Sequence, residues 1–261
     1  MDGVIHLNAL QVGLAYVFAL FVLFVVRLKG INREKEIVIA VFRMSIQLVL
    51  AGYALVFILD NPSPALTIGI IIAMEAFSIH TIFKRFNGRL SFALKKVIVL
   101  AMSAGSLFCI FYFVLVVVGV TPWYNPQYFI PVSGMIMGNT MTGVTLAVNA
   151  LLKAMTTEKH LVEESLILGA TPKTATKNIV NDSFEVAIMP TITNMMTMGI
   201  VILPGMMTGQ ILSGTSPTAA IAYQIAIMLA ILGAAAITVV ILLQLGYQTF
   251  FNEDQQLADG L

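Results

Sequence analysis

Apolar residues gather in seven windows, at about residues 7–26, 37–59, 65–83, 97–119, 128–152, 184–205 and 218–246. Each approaches the roughly 20 residues that a hydrocarbon core about 30 Å thick demands of a helix. The pattern predicts an all-α membrane protein of about seven transmembrane helices. Between the fifth and sixth windows lies a polar stretch, residues 157–181, of a different character. Gly169 stands where a helix should stop, because Gly adopts the left-handed conformation cheaply, and Thr171-Pro172 offers an N-cap followed by Pro at the first helical position. Two short capped helices are expected there, built either to be held by another protein or to serve as an ordinary loop with good caps.

The basic residues order the windows across the membrane. Arg27, Lys29, Arg33 and Lys35 follow the first, Lys84, Arg85, Arg89, Lys95 and Lys96 the third, and Lys153, Lys159, Lys173 and Lys177 the fifth. The connections at 60–64, 120–127 and 206–217 contain none, and Arg43 alone lies within a window. By the positive-inside rule the basic connections are cytoplasmic, which places the N-terminus outside and the tail from Tyr247 inside. Trp123, Tyr124 and Tyr128 fall where an outer aromatic belt should be. The N-terminal residues carry Asp2 and no Lys or Arg, so the first window reads as a retained helix in a multi-pass plasma-membrane protein.

Composition agrees with the windows. Hydrophobic residues make up 59% of the 261 and charged residues only 10%, with a mean hydropathy of +0.94. A net charge of +1 argues against a nucleic-acid partner. Cys109, the lone cysteine, can make neither an internal disulfide nor a multi-cysteine metal site. No linker or repeat interrupts residues 1–261, so a single transmembrane domain is expected. No phosphate-binding G-x-x-x-x-G-K-[ST] loop is present, so any nucleotide-driven step needs another polypeptide.

The chemistry-bearing candidates are the residues that do not belong in lipid. Arg43, with Gln47 one turn beyond, lies in the second window, and Glu75 near the middle of the third. Each charge would cost about 2.5–3.5 kcal/mol at a helix centre, so both should face protein or water. Their depths differ by about one turn, which permits a direct Arg43–Glu75 pair. Such a pair could be an internal brace, or Glu75 could line the path of a cation, as a weak candidate metal ligand. His80, near the cytoplasmic end of the third window, has no second histidine within reach and reads as interfacial. Ten of the 15 methionines fall between Met135 and Met207. Met137 and Met141 share a helix face, as do Asn194 and Met198, and Asn139 breaks the apolar surface nearby. Thioethers suit soft ions and oxygens harder ones, but methionine also fills gaps in helix packing, so path and packing both stand. Gly134 with Gly138, and Gly205 with Gly209, have the spacing of close helix contacts. Pro190 can kink the sixth helix, and Pro204-Gly205 should break it, as a gate or a tolerated bend.

Glu163-Glu164-Ser165, Gly169 six residues after Glu163 and Ile179 ten residues later resemble the EAA-type cytoplasmic loop of ATP-binding-cassette permeases, although Asn181-Asp182 stand where Leu-Pro is usual. Across nearly the whole chain, residues 130–139 (IPVSGMIMGN), 169–175 (GATPKTA) and 203–211 (LPGMMTGQI) resemble the signature stretches of the FetB-type metal-export permease family, which includes plant aluminium-tolerance relatives. Arg43 with Gln47 also fits that family's second span. The resemblance implies a homodimeric permease with two copies of a separate ATP-binding subunit, moving iron or a related metal cation outward. ATP and Mg would bind the partner and no cofactor this chain. Residues 158–180 would supply the coupling element, with Leu161, Leu166 and Leu168 docking, Glu163, Glu164, Ala170 and Thr171 alongside, and Gly169 and Pro172 fixing the turn.

A secondary, ion-coupled transporter of a cation or small solute is the alternative, with the same spans but no required docking loop. Enzymes fit poorly. A retinal-type receptor needs a Schiff-base lysine that the seventh window lacks. His6, His80 and His160 are too scattered for H-E-x-x-H, and G-x-S-x-G is absent around Ser133.

Overall fold

The computed structural model describes residues 8–258, so Asp2 and His6 lie outside the described residues. Ten α-helices account for nearly all of them, with no named strand among the described residues. They are α1 (Ala9–Leu28), α2 (Glu34–Asp60), α3 (Pro64–Arg85), α4 (Phe92–Tyr112), α5 (Pro126–Thr157), α6 (Lys159–Ile167), α7 (Pro172–Ala175), α8 (Lys177–Thr197), α9 (Gly205–Leu212) and α10 (Pro217–Gly246). A π-helical turn, Phe113–Val118, extends α4, and a 3-10 turn, Tyr247–Phe250, extends α10.

One device starts four of these helices. Ser63-Pro64, Asn125-Pro126, Thr171-Pro172 and Ser216-Pro217 each pair a side-chain oxygen that accepts a backbone N–H with a Pro at the helix start. The cap satisfies one of the four orphan donors, and Pro has no N–H to satisfy. Polar caps are needed at these positions because lipid offers the backbone no hydrogen bonds, so each span must begin and end where donors can be met.

α5 is the centre of the bundle, packed against α3, α4, α8 and α10, with α10 also tight on α4 and α8. Its 32 residues extend ~48 Å at ~1.5 Å per residue, well beyond the hydrocarbon core. Two buried clusters run along it. The cluster at the end bearing the basic connections joins Ile82, Leu94, Met102, Leu151, Met155 and Leu242, and also holds Val162 of α6 and Ile179 of α8. The far cluster joins Ile71, Ile110, Phe113, Phe129, Ile136 and Ile227.

Two close approaches set the spacing. A Cβ at Gly105 of α4 would lie 2.9 Å from Thr238 Cα of α10, so the helices touch almost backbone to backbone. At Gly143 of α5 a Cβ would lie 3.5 Å from the Ala187 carbonyl oxygen of α8 and 3.6 Å from a Val239 methyl. Of the pairs expected from spacing, Gly134 makes a comparable approach, its built Cβ 3.4 Å from the Met74 methyl of α3, while Gly138, Gly205 and Gly209 have nothing within 4 Å of a built Cβ.

The sixth window is not an uninterrupted span. Six helical segments are long and apolar enough to cross a membrane, and α8 is not among them. It carries Lys177, Asp182 and Glu185 toward its start and ends at Thr197. Pro190 stays inside the continuous helix; the break comes at 198–204, where Gly199 takes φ +84° and its N–H bonds the Ile202 carbonyl at 2.9 Å. Thr197's carbonyl takes the N–H groups of Val201 and Ile202, so the turn satisfies its own backbone. Pro204 precedes α9 as its N-cap. By contrast α1 and α2 form a peripheral hairpin: α1 buries no residue and α2 only Ile58.

Gly105→Ala should destabilise the chain by about 1–3 kcal/mol through overpacking at Thr238. Thermal melting in detergent reads this, with Gly138→Ala as the open-space control. Equal melting of Gly105→Ala and the parent chain would show that the α4–α10 contact sets no spacing.

Candidate functional site

Glu75 lies on the face of α3 that also buries Thr67, Ile71, Ser78 and Ile82, a three-and-four spacing that turns one side of the helix to the bundle. It is 5% exposed. Ser106 Oγ donates to Glu75 Oε2 at 3.0 Å and lies 2.7 Å from the Met102 carbonyl oxygen. Glu75 Oε1 has no hydrogen-bonding partner among the described residues, nor do the buried hydroxyls of Ser133, Thr140 and Thr238. Ser106 follows Gly105, so the close α4–α10 contact also sets where the Glu75 partner stands.

The Arg43–Glu75 pair does not form. Arg43 instead holds its guanidinium carbon 5.4 Å from the centre of the Phe77 ring, a cation–π contact on the exposed side of α3. Depth allowed the pair, but Glu75 and Phe77 are two residues apart and so point to different sides of α3. Arg43 and Gln47 line a groove along α2, both exposed, with Glu36 at its end.

The sulfur-bearing candidates separate as well. Met137 is 1% exposed in the far cluster beside Phe129 and Ile136, a packing role. Met141 packs half-buried against the other cluster. Asn139 spends its amide on the Met135 carbonyl, 2.8 Å away in its own helix. Asn194 is exposed near the end of α8. Met198, at the start of the break, accepts from Gln224 Nε2 at 3.8 Å. Gln224 is a buried amide of α10 that the sequence reading passed over; a Gln inside an apolar window was its signal. Among the described residues no group of three or more His, Cys, Asp and Glu converges. Glu75 is thus a single carboxyl group with Ser106 as its one hydrogen-bonding partner among the described residues, and such oxygen donors suit hard cations more than soft ones.

The second part of the site is the turn between α6 and α7. Ala170 N–H bonds the Ser165 carbonyl at 3.0 Å and Gly169 N–H the Leu166 carbonyl at 2.9 Å, with Gly169 at φ +89°. These are the two bonds of a Schellman motif. Thr171 Oγ1 then accepts from Thr174 N–H at 3.3 Å and Pro172 opens α7. Val162 is buried, and Leu166 and Ala175 pack beside it on the cluster formed by α3, α4, α5 and α10, so the loop is anchored to the bundle. Leu166 therefore faces inward, unlike the outward docking role expected for it. Leu161 does face out, and Ile167 and Leu168 are 84% and 87% exposed. Ile167 was absent from the expected contacts; its place at the end of α6, just before the Gly169 turn, is what exposes it. Glu163 pairs with Lys159 at 3.7 Å on the helix surface, Glu164 and Thr171 are exposed, and Ala170 and Pro172 are half-buried.

With this geometry in view, comparison with known proteins is informative. The UPF0014 family, described as uncharacterised, matches residues 9–251. A UPF0014 membrane protein of Synechocystis sp. is 35% identical over 88% of this chain and 88% of its own length. The probable iron export permease protein FetB of Escherichia coli is 34% identical, covering 86% of this chain and 85% of itself. Protein ALUMINUM SENSITIVE 3 of Arabidopsis thaliana is 33% identical over 88% and 82%. No solved structure matches. The chain belongs to the UPF0014 family and is a multi-pass, all-α membrane protein.

A double-mutant cycle tests the rearranged contacts. Glu75→Gln and Ser106→Ala should couple by about 1 kcal/mol or more, as a buried hydrogen bond requires. Arg43→Gln and Glu75→Gln should couple by less than ~0.5 kcal/mol, as separated sites do. Thermal or denaturant unfolding in detergent measures both, and the reverse ranking would restore the Arg43–Glu75 brace.

Proposed function

We propose that this member of the UPF0014 family is the membrane permease subunit of an ATP-binding-cassette transporter that exports iron or a related metal cation. The observation that carries the proposal is the pair of aliphatic side chains, Ile167 and Leu168, held outward on a rigid, fully capped turn. Exposed large apolar residues on a polar segment gain most by burial against a partner. An ATP-binding subunit would seat α6, the turn and α7 in a groove, with two such subunits serving a homodimer of this chain. The name of the Escherichia coli relative supports metal export, and the basic residues of the connections support a cytoplasmic side for the turn, where ATP is found.

The mechanism follows from how the turn is fastened. α7 runs within two residues into α8, and α6 continues α5. A pull on the turn therefore acts directly on two packed spans, one of which breaks at 198–204. Closure of the ATP-binding subunits would bias the spans between inward-open and outward-open arrangements, provided those subunits bind the two arrangements with different affinity. Glu75 would meet the cation part-way, with Ser106 holding one carboxyl oxygen and the other free for the ion. ATP and Mg stay on the partner; the bond-breaking chemistry is not this chain's.

Ile167→Asp with Leu168→Asp should leave the chain inserted and folded, because both positions are exposed, but reduce co-purification of the ATP-binding subunit by at least tenfold. Burying one such side chain contributes about 1.5–3 kcal/mol, enough for that factor. Gly169→Val should do the same through strain at positive φ, since nothing lies within 4 Å of the new Cβ. Metal efflux from cells challenged in parallel with iron, copper, manganese and aluminium reads the transport arm. Normal partner capture and efflux by these variants would overturn the proposal, and efflux that persists without any ATP-binding subunit would favour a secondary transporter.

A further inference from the structure

At the basic end of the bundle, the N-cap of α2, the end of α3 with its following connection and the middle of α5 line an open surface cavity of about 340 Å³ whose arginines and asparagines are exposed. Arg33, Arg85 and Arg89 line it, joined by Asn87 and Asn149. No carboxylate does. Glu36 already engages Arg33, whereas Arg85 and Arg89 have no acidic partner among the described residues. We propose that this cavity binds a phosphate-bearing group, the headgroup of an anionic phospholipid or free phosphate, between Arg85, Arg89 and the Asn149 amide.

Three observations favour that chemistry. The converging cations are all arginines, although Lys84 directly precedes Arg85; a guanidinium presents paired N–H donors that match phosphate oxygens, where an ammonium is a point charge. Arg33 at the N-cap of α2, Arg85 at the last position of α3 and Arg89 in the connection to α4 converge on one cavity with two amides, Asn87 and Asn149, a tighter grouping than a positive-inside bias alone requires. The adjoining cavity, about 870 Å³, shares Arg89 and Asn149 and adds Lys153, yet is also walled by Leu90, Leu152 and Phe250. A cationic wall running into an apolar one fits an amphiphile, with its phosphate at the arginines and its glycerol and acyl carbons beside the leucines. Such basic pockets between spans are where membrane proteins hold anionic headgroups. The site would tie the end of α3 to α5 without any role for the cation path.

Native mass spectrometry of the full chain in detergent, with phosphatidylglycerol or phosphatidylcholine added, provides the test. Phosphatidylglycerol should remain bound where phosphatidylcholine is lost, and retention should fall roughly fivefold for each of Arg85→Gln and Arg89→Gln. Arg27→Gln removes a positive charge at the same end, outside the cavity, and should change retention less than twofold. Release of phosphatidylglycerol by millimolar inorganic phosphate supports a site for phosphate itself; retention against it supports recognition of the whole lipid. Should the glutamine variants not fold, Arg85→Lys with Arg89→Lys keeps the charge and should still lose about threefold, since the fork is gone. Retention equal to the parent in these variants, equal loss in Arg27→Gln, or equal binding of phosphatidylcholine would overturn the proposal.

Discussion

The near-contact of backbones where Gly105 meets Thr238 is the constraint on which the rest of the bundle depends. In lipid no water is released when two helices meet, so association rests on close packing and on polar groups that find each other. A residue without a Cβ is what lets α4 and α10 approach so closely, and α5 then fills the groove they leave, with Gly143 against α8. Ser106 follows Gly105, and the same approach that presses Gly105 onto α10 turns Ser106 toward α3, where Glu75 waits. Were the two helices held farther apart, the Glu75 carboxyl would lose its one partner or face an opening.

The same bundle also fixes the turn at its basic end. Val162 and Ile179 are part of the cluster containing Leu151 and Met155, so α6 and α8 are fastened to the core and not suspended from it. The caps then finish the geometry locally: a Schellman motif closes α6, and Thr171 with Pro172 opens α7. Two anchored helices and a stiff turn leave Ile167 and Leu168 with little conformational entropy to lose on meeting a partner, which is the advantage of preorganisation. A mobile loop with the same two residues would bind more weakly and transmit less.

What the sequence revealed follows from whether a feature is local. Gly169, Thr171 and Pro172 were legible because a positive φ, a cap and a fixed φ are properties of a few adjacent residues. Relative axial level was legible too, since Arg43 does stand beside the Glu75–Phe77 turn of α3. Azimuth was not. Arg43 and Glu75 stand at similar depths, yet one faces Phe77 and the other Ser106, and no periodicity in a uniformly apolar helix says which side meets which neighbour. Glycine spacing was legible only in part: Gly134 does meet α3 at the Met74 methyl, Gly138 meets nothing, and the tightest approach is at Gly105, which has no glycine partner at that spacing. The break in the sixth window was foreseen at Pro204 and lies just before it, because Gly199 and the Thr197 carbonyl close a turn of their own that Pro204 only ends.

The outward faces of α2 and α8 give the last step. Arg43 and Gln47 on α2, and Asp182, Glu185 and Asn194 on α8, are exposed in the single chain. Arg43 is nine residues beyond the start of α2 and Glu185 eight beyond the start of α8, so they sit ~13 Å and ~12 Å from the basic end of their helices. Arg43 has only the Phe77 ring beside it, and opposite charges on such exposed faces would cost about 2.5–3.5 kcal/mol apiece if left to hydrocarbon. Within the chain α2 packs mainly on α1 and α5. The homodimer proposed above would cover these two faces, converting two solvation penalties into one interface.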